Sequence, residues 1–276
     1  TGVANGAGEP FKDLYRKKVT LTRRTKIATA GSCFAQHIGG ALRERGFNVL
    51  DAEPAPDGLD TKTAQSFGYA IYSARNANIY TIRQFLQLIR ESRSRFTPAE
   101  PVWEKNGRFY DAMRPSVEPE GLASPELVRL HRDHHLRAVR TLLRRADVLV
   151  FTLGLTEVWK HRETGTVYPT APGTIAGTFD EKVYEFENLS HADVRSDFIE
   201  LRKLLKRTNP DLKFILTVSP VPLTATATDD HVLVATTYSK SVLRAVAGSL
   251  AAEFDDVDYF PSYEIIAGAP ARGRFF

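Results

Sequence analysis

Apolar runs alternate with amphipathic stretches along most of this chain. Ile27, Ala28 and Ala30 form a compact apolar run that stops at Gly31. From Phe34 onward, Ile38, Leu42 and Phe47 recur at roughly helical spacing. Residues 47–50 read as a second short strand, and 52–58 as a Pro/Gly-rich loop. The periodicity of 79–89 predicts an amphipathic helix. Val102–Lys105 and Arg108-Phe109-Tyr110 flank Asn106-Gly107, a strong hairpin signal. Ser124 as N-cap and Pro125 at the first helical position open a long helix through Leu143. Residues 147–154 form the continuous apolar run expected of a strand covered on both faces. A second hairpin turns at Glu163-Thr164-Gly165. A helix over 193–205, a strand over 214–218, a helix over 239–254 and a strand over 257–260 complete the pattern.

Alternation of this kind, broken by two β-hairpin insertions, predicts an α/β fold: a three-layer α/β/α sandwich around a parallel sheet. No linker, low-complexity tract or repeat divides it. Residues 1–25 read as an N-terminal extension and 26–276 as a single domain.

Composition narrows the function classes. The 276 residues are 42% hydrophobic and 25% charged, ordinary for a globular protein. No stretch reaches the ~18 apolar residues that cross a bilayer, and Thr1 to Gly8 lack the layout of a signal peptide. A net charge of +4 suits an anionic partner such as a phosphorylated donor, coenzyme A or an acidic glycan. No basic stripe interleaved with aromatics appears, which argues against nucleic acid. One cysteine excludes an internal disulfide framework. His131 and His135 stand at i, i+4, yet neither an HExxH pattern nor a third ligand accompanies them, so no metal is expected. No glycine-rich phosphate cradle is present.

The chemistry gathers at Gly31-Ser32-Cys33-Phe34-Ala35. Cys33 falls at the carboxyl end of a strand and the amino end of a helix. Unpaired N–H groups there favour an anion, and crevices beyond strand ends are where open α/β sheets bind ligands. His37, one turn along, shares a face with Cys33, a spacing better suited to packing than to catalysis.

Those five residues resemble the signature of the GSCFA family, a branch related to the SGNH (GDSL-type) hydrolases and acyltransferases. Further blocks are similar, in the family's order: Thr152 to Trp159, Thr217 to Leu223, Tyr238-Ser239-Lys240 and Tyr259 to Glu264. The resemblance implies an SGNH-like sheet with flavodoxin-like strand order and a cytoplasmic bacterial protein. It also implies an acyltransferase or esterase acting on acyl groups of a carbohydrate or cell-envelope glycan. Set on Gly-Asp-Ser, Cys33 takes the nucleophile's place, with Ser32 as the competing nucleophile or a helix cap. Gly31, Phe34 and the helix-start N–H groups are expected around the oxyanion.

Set on Gly-x-Asn-Asp, the matching residues are Gly154, Thr156 and Glu157, with Thr156 offering a hydroxyl in place of an amide. Asn78 and Tyr80 follow Ala77, where relatives often carry Gly. Lys240, with Arg244, is expected to grip an anionic donor, and Tyr259 to Glu264 to wall the pocket. The base is His231 or a residue beyond position 276. No cofactor is required, acyl-coenzyme A being a possible donor and a glycan the acceptor. The alternative is a binding module that has lost its hydrolytic histidine.

Overall fold

The computed structural model describes residues 13–268. The small-residue start (1–8) and the Phe275-Phe276 end lie outside them. In chain order come β1 (Ile27–Gly31), α1 (Phe34–Glu44), α2 (Thr61–Ser66) and α3 (Ile82–Glu91). A hairpin of β2 (Val102–Lys105) and β3 (Arg108–Asp111) precedes α4 (Pro125–Arg145) and β4 (Val148–Leu153). Next are β5 (Glu157–His161), β6 (Val167–Tyr168), β7 (Tyr184–Asn188) and α5 (His191–Lys206). The described chain closes with β8 (Lys213–Val218), α6 (Val232–Glu253), β9 (Val257–Tyr259) and α7 (Ser262–Ala267).

The central sheet is parallel, in the order β1-β4-β8-β9. Ile27 stands opposite Val148, Gly31 opposite Thr152 and Val150 opposite Ile215. The short strand expected at 47–50 is reduced to one parallel bridge, Val49 to Ile27, on the free edge of β1. Counted as a rudimentary strand, it gives the order 2-1-3-4-5, which is flavodoxin-like.

Both faces of the sheet are covered. Ala28, Leu149, Phe151, Phe214 and Leu216 pack against α3, α4, α5 and α6, with Phe85 stacked on Phe151 at 5.1 Å. Ile27, Val148, Val150 and Ile215 face Ile38 and Leu42 of α1 and Val19 of the N-terminal stretch. That stretch is tied down at Asp258, which accepts from Tyr15 Oη (2.7 Å) and the Lys18 and Val19 N–H groups (2.8 and 2.9 Å).

The β2–β3 hairpin forms where expected, with Asn106 and Gly107 both at positive φ (52° and 72°). It is held to α4 by buried charge. Arg114 donates to Asp111 (2.7 Å) and to the His131 carbonyl (3.0 Å), and Arg132 lies 3.6 Å from Asp111 while pairing with Glu91. On the same helix His135 Nδ1 meets Glu53 Oε2 at 2.7 Å. The second hairpin is present and gains a third strand, giving the antiparallel order β6-β5-β7. The alternating Tyr-Glu-Phe-Glu of β7 carries that signal in its period of two. Two helix starts also differ. The helix expected from 79 begins at Ile82, where the Thr81 hydroxyl caps Gln84 N–H. α6 begins at Val232, two turns before Ser239.

Candidate active site

Gly31 closes β1 at φ +140°, and a Cβ on it would lie 2.5 Å from the Thr152 carbonyl oxygen. Only glycine lets β1 turn so tightly against β4. The Ser32 N–H then donates to Thr152 O (3.0 Å), and the Ser32 carbonyl accepts from Ala35 N–H (2.8 Å). This corner delivers Cys33 to the N-cap of α1 in helical conformation. Cys33 is half-buried, so solvent reaches the residue. Ser32 is buried (2% exposed), and its hydroxyl is sealed without a partner. Ser32 therefore does not cap α1. The N–H groups of Cys33 and Phe34 keep no partner among the described residues, as is usual at a helix start. His37 is exposed, its ring 5.9 Å from that of Phe34.

A second segment is clamped beside the corner. Ile79 N–H donates to Gly31 O (2.9 Å), and Gly154 N–H donates to Tyr80 O (2.9 Å). Residues 78–80 thus run between the ends of β1 and β4 instead of opening a helix. Ala77 enters this run at φ +56°, the left-handed conformation a glycine would adopt more readily. Tyr72 Oη donates to Asn78 Oδ1 (2.5 Å), and Asn78 Nδ2 donates to Tyr80 Oη (3.0 Å). The chain of donors leaves the Tyr80 hydroxyl proton uncommitted among the described residues. Burial pushes both tyrosines up, and a charge interaction with Cys33 pushes them further. Both phenols therefore stay protonated near neutral pH, as hydrogen-bond donors.

From the other side, α6 docks on the turn after β4. Ser239 Oγ accepts from Thr156 N–H (3.0 Å), and Lys240 Nζ donates to Gly154 O (2.6 Å). Gly154 in turn abuts Ser32: a Cβ there would lie 2.9 Å from Ser32 Cβ. Lys240 is only 2% exposed. Burial pushes its ammonium down to about 8, opposed by the charge of Cys33. It is an internal group beside the corner, and not the surface grip for an anionic donor that the sequence suggested. Arg244 points elsewhere, pairing with Glu264 and lying 4.1 Å over the Tyr259 ring. Tyr259 Oη donates to the same Glu264 (2.7 Å), so this block closes on itself.

The remaining expected residues are placed as follows. Thr156 is fully buried, and its hydroxyl donates to Asn188 Oδ1 (2.6 Å), which spends its one proton. Glu157 accepts from Thr226 Oγ1 (2.6 Å) and pins the loop before α6. His231 is exposed and caps α6, its Nδ1 accepting from Leu233 N–H (3.2 Å). It precedes Lys240 by nine residues, or about 13 Å along the helix. Among the described residues no hydrogen bond joins His231 to Cys33. Of the histidines on α4, His135 is buried against Glu53 while His134 is exposed. No cluster of three or more His, Cys, Asp or Glu among the described residues could hold a metal ion, and no described helix is long and apolar enough to cross a membrane.

Cys33, Asn78, Tyr80, Gly154 and Lys240 are thus brought together, whereas Thr156, Glu157 and His231 serve other contacts. Tyr72 was missed. It lies in an aperiodic stretch and meets the corner only through Asn78 and the Ser32 carbonyl (3.4 Å).

Comparison with known proteins places the chain as follows. Residues 26–276 match the model of the GSCFA family. A similar solved structure is an acetyl xylan esterase from the rumen bacterium Butyrivibrio proteoclasticus, at 13% sequence identity and a TM-score of 0.27. The match covers 86% of this chain, which spans 55% of the length of that esterase. No curated protein matches the sequence.

Proposed function

The chain belongs to the GSCFA family, and from that premise we propose that it is an esterase or acyltransferase that forms an acyl-enzyme on Cys33. The observation that carries this reading is the corner itself. The chain's one cysteine reaches the surface at a strand-to-helix turn with N–H and O–H donors around it, while the neighbouring Ser32 hydroxyl is sealed. A sulfur nucleophile needs access, and a tetrahedral intermediate needs donors where its oxygen develops charge.

Cys33 attacks the carbonyl of an ester or thioester. The oxyanion accepts from the Cys33 and Phe34 N–H groups and from Tyr80 Oη. The alcohol or thiol leaves, and a thioester remains on the enzyme. Water or an acceptor hydroxyl then takes the acyl group. Acyl-coenzyme A is the proposed donor class and a carbohydrate or cell-envelope glycan the acceptor class, with transfer favoured by a thioester intermediate and a basic chain.

Intact-mass spectrometry tests this after incubation with acetyl-coenzyme A and, separately, with p-nitrophenyl acetate. An acetyl adduct mapping to Cys33 and absent from Cys33→Ala supports the acyl-enzyme. Absence of any adduct on the wild-type protein refutes it and leaves the alternative of a glycan- or acyl-binding module.

A further inference from the structure

Lys240 poses a physical problem that its bond to Gly154 does not solve. Moving an ammonium out of water costs several kcal/mol unless an opposite charge offsets it. Other buried cations here have carboxylates: Arg114 has Asp111, and Arg132 has Glu91. Lys240 has no carboxylate within salt-bridge distance among the described residues. Its one bonding partner is the neutral Gly154 carbonyl, which accepts a single N–H of the three an ammonium offers.

The ionisable group that acts on Lys240 is the Cys33 thiol. The path that joins them runs through packed groups, with no direct hydrogen bond between Lys240 and Cys33 among the described residues. Lys240 meets Gly154, Gly154 packs on Ser32, and Ser32 precedes Cys33. His231, the expected base, is spent as a helix cap.

We propose that Lys240 and Cys33 titrate as a coupled amine–thiol pair whose proton passes between them through one water, and that Lys240 is the base which the acyl-transfer chemistry of this site requires. The role rests on the acyl-enzyme reading for its chemistry, though the pair itself exists without a substrate. In acylation the S–H bond breaks and an N–H bond forms on Lys240, while sulfur bonds to the acyl carbon. The bond from the acyl carbon to the leaving oxygen or sulfur then breaks, and the ammonium returns its proton to the departing alkoxide or thiolate. In deacylation Lys240 takes the proton of the acceptor hydroxyl, whose oxygen bonds to the acyl carbon. The carbon–sulfur bond breaks, leaving the Cys33 thiolate opposite the Lys240 ammonium. Tyr80, whose hydroxyl proton is uncommitted among the described residues, supplies a hydrogen bond without competing for that proton.

Iodoacetamide alkylation followed by intact mass reads the pair directly, because Cys33 is the chain's one cysteine. Wild type, Lys240→Met and Lys240→Arg would be compared from about pH 6 to pH 10. The wild-type rate should rise in two steps, as coupled groups do. Lys240→Met should show a single step and alkylate roughly tenfold more slowly at pH 7, the size of effect that one pKa unit of lost pairing gives. Lys240→Arg should restore most of the alkylation rate, since the cation remains. It should still fail to accumulate the acetyl adduct from p-nitrophenyl acetate, because a guanidinium does not accept a proton near neutral pH.

A single-step profile in wild type overturns the pair, as does a Lys240→Met profile that coincides with wild type. The wild-type measurement stands even if both variants misfold. The two readings fail separately. Altered alkylation in Lys240→Met with no wild-type acetyl adduct would sink the acyl-enzyme and keep the pair. An adduct that forms in Lys240→Met at the wild-type rate would do the reverse.

Discussion

Acid should weaken this fold through one buried side chain, His135. Its ring is fully enclosed, with Nδ1 against Glu53 and Nε2 sealed without a partner. Burial, and then the positive charge of Arg114, push the imidazole down from 6.5 to about 4, against the pull of Glu53. Arg132 adds to the downward push. The folded state therefore keeps His135 neutral where the unfolded chain would protonate it. Stability is fully present above about pH 6.5 and drains away as pH falls toward 4. The difference of about 2.5 units (6.5 minus about 4) corresponds to at most ~3.5 kcal/mol at ~1.4 kcal/mol per unit. Against a total stability of ~5–15 kcal/mol this is a large share. Glu53 acts in the same direction at lower pH. Burial raises its carboxyl, but the bond and charge of His135, the charge of Arg114 and the Arg75 N–H together outweigh that and hold it at about 2. Urea denaturation at about pH 7, 6, 5 and 4 would measure the effect in wild type and His135→Gln. The glutamine amide can still donate to Glu53 but cannot titrate. The variant should be less stable at pH 7 and lose about 2–3 kcal/mol less than wild type across this window. Equal losses in the two proteins would refute the assignment to His135.

Further predictions concern the corner and its surroundings. Gly31→Ala would drive a methyl to 2.5 Å of Thr152 O and 2.6 Å of Thr152 N, both backbone atoms that cannot yield. Strain and overpacking together should cost about 2–5 kcal/mol in urea titrations. A loss under ~1 kcal/mol would contradict the close approach of β1 and β4. Ala77→Gly should stabilise by about 0.5–1 kcal/mol, because relief of the left-handed strain exceeds the added chain entropy; a lowered melting temperature would count against it. Tyr80→Phe should slow acetylation of Cys33 by about 10–100-fold with an unchanged circular dichroism spectrum. Thr156→Val should instead show its main effect in stability, about 1–2 kcal/mol, through the lost bond to Asn188. Equal kinetic losses in the two variants would overturn Tyr80 as the oxyanion donor.

Much of the fold is legible in the sequence because its signals are local. Apolar strands 148–153 and 213–218, the Ser124-Pro125 helix start and the Asn106-Gly107 turn each carry their own chemistry, and each forms as read. What local signals miss is where the chain leaves its period for a tertiary reason. Residues 79–81 continue the apolar rhythm of α3, yet their backbone groups are taken by Gly31 and Gly154, so the helix waits for Thr81 to cap it. Thr156 offered the right functional group at the matching position, but Asn188, thirty-two residues later, claims its proton. No window short enough to show periodicity contains that pair.

Lys240 shows how one such displacement changes the chemistry inferred. A helix starting at Ser239 would put Lys240 in its first turn, at the solvent end above the sheet, where a cation suits an anionic substrate. With the start at Val232, capped by His231, Lys240 lies eight residues, or about 12 Å, farther down the axis. There it meets the Gly154 carbonyl beside the Cys33 corner and is enclosed. The same shift converts the expected base into a cap and the expected anion grip into an internal amine. An amine enclosed beside a thiol, with no carboxylate to fix its charge, is placed to exchange a proton with that thiol and poorly placed to hold a donor from solvent.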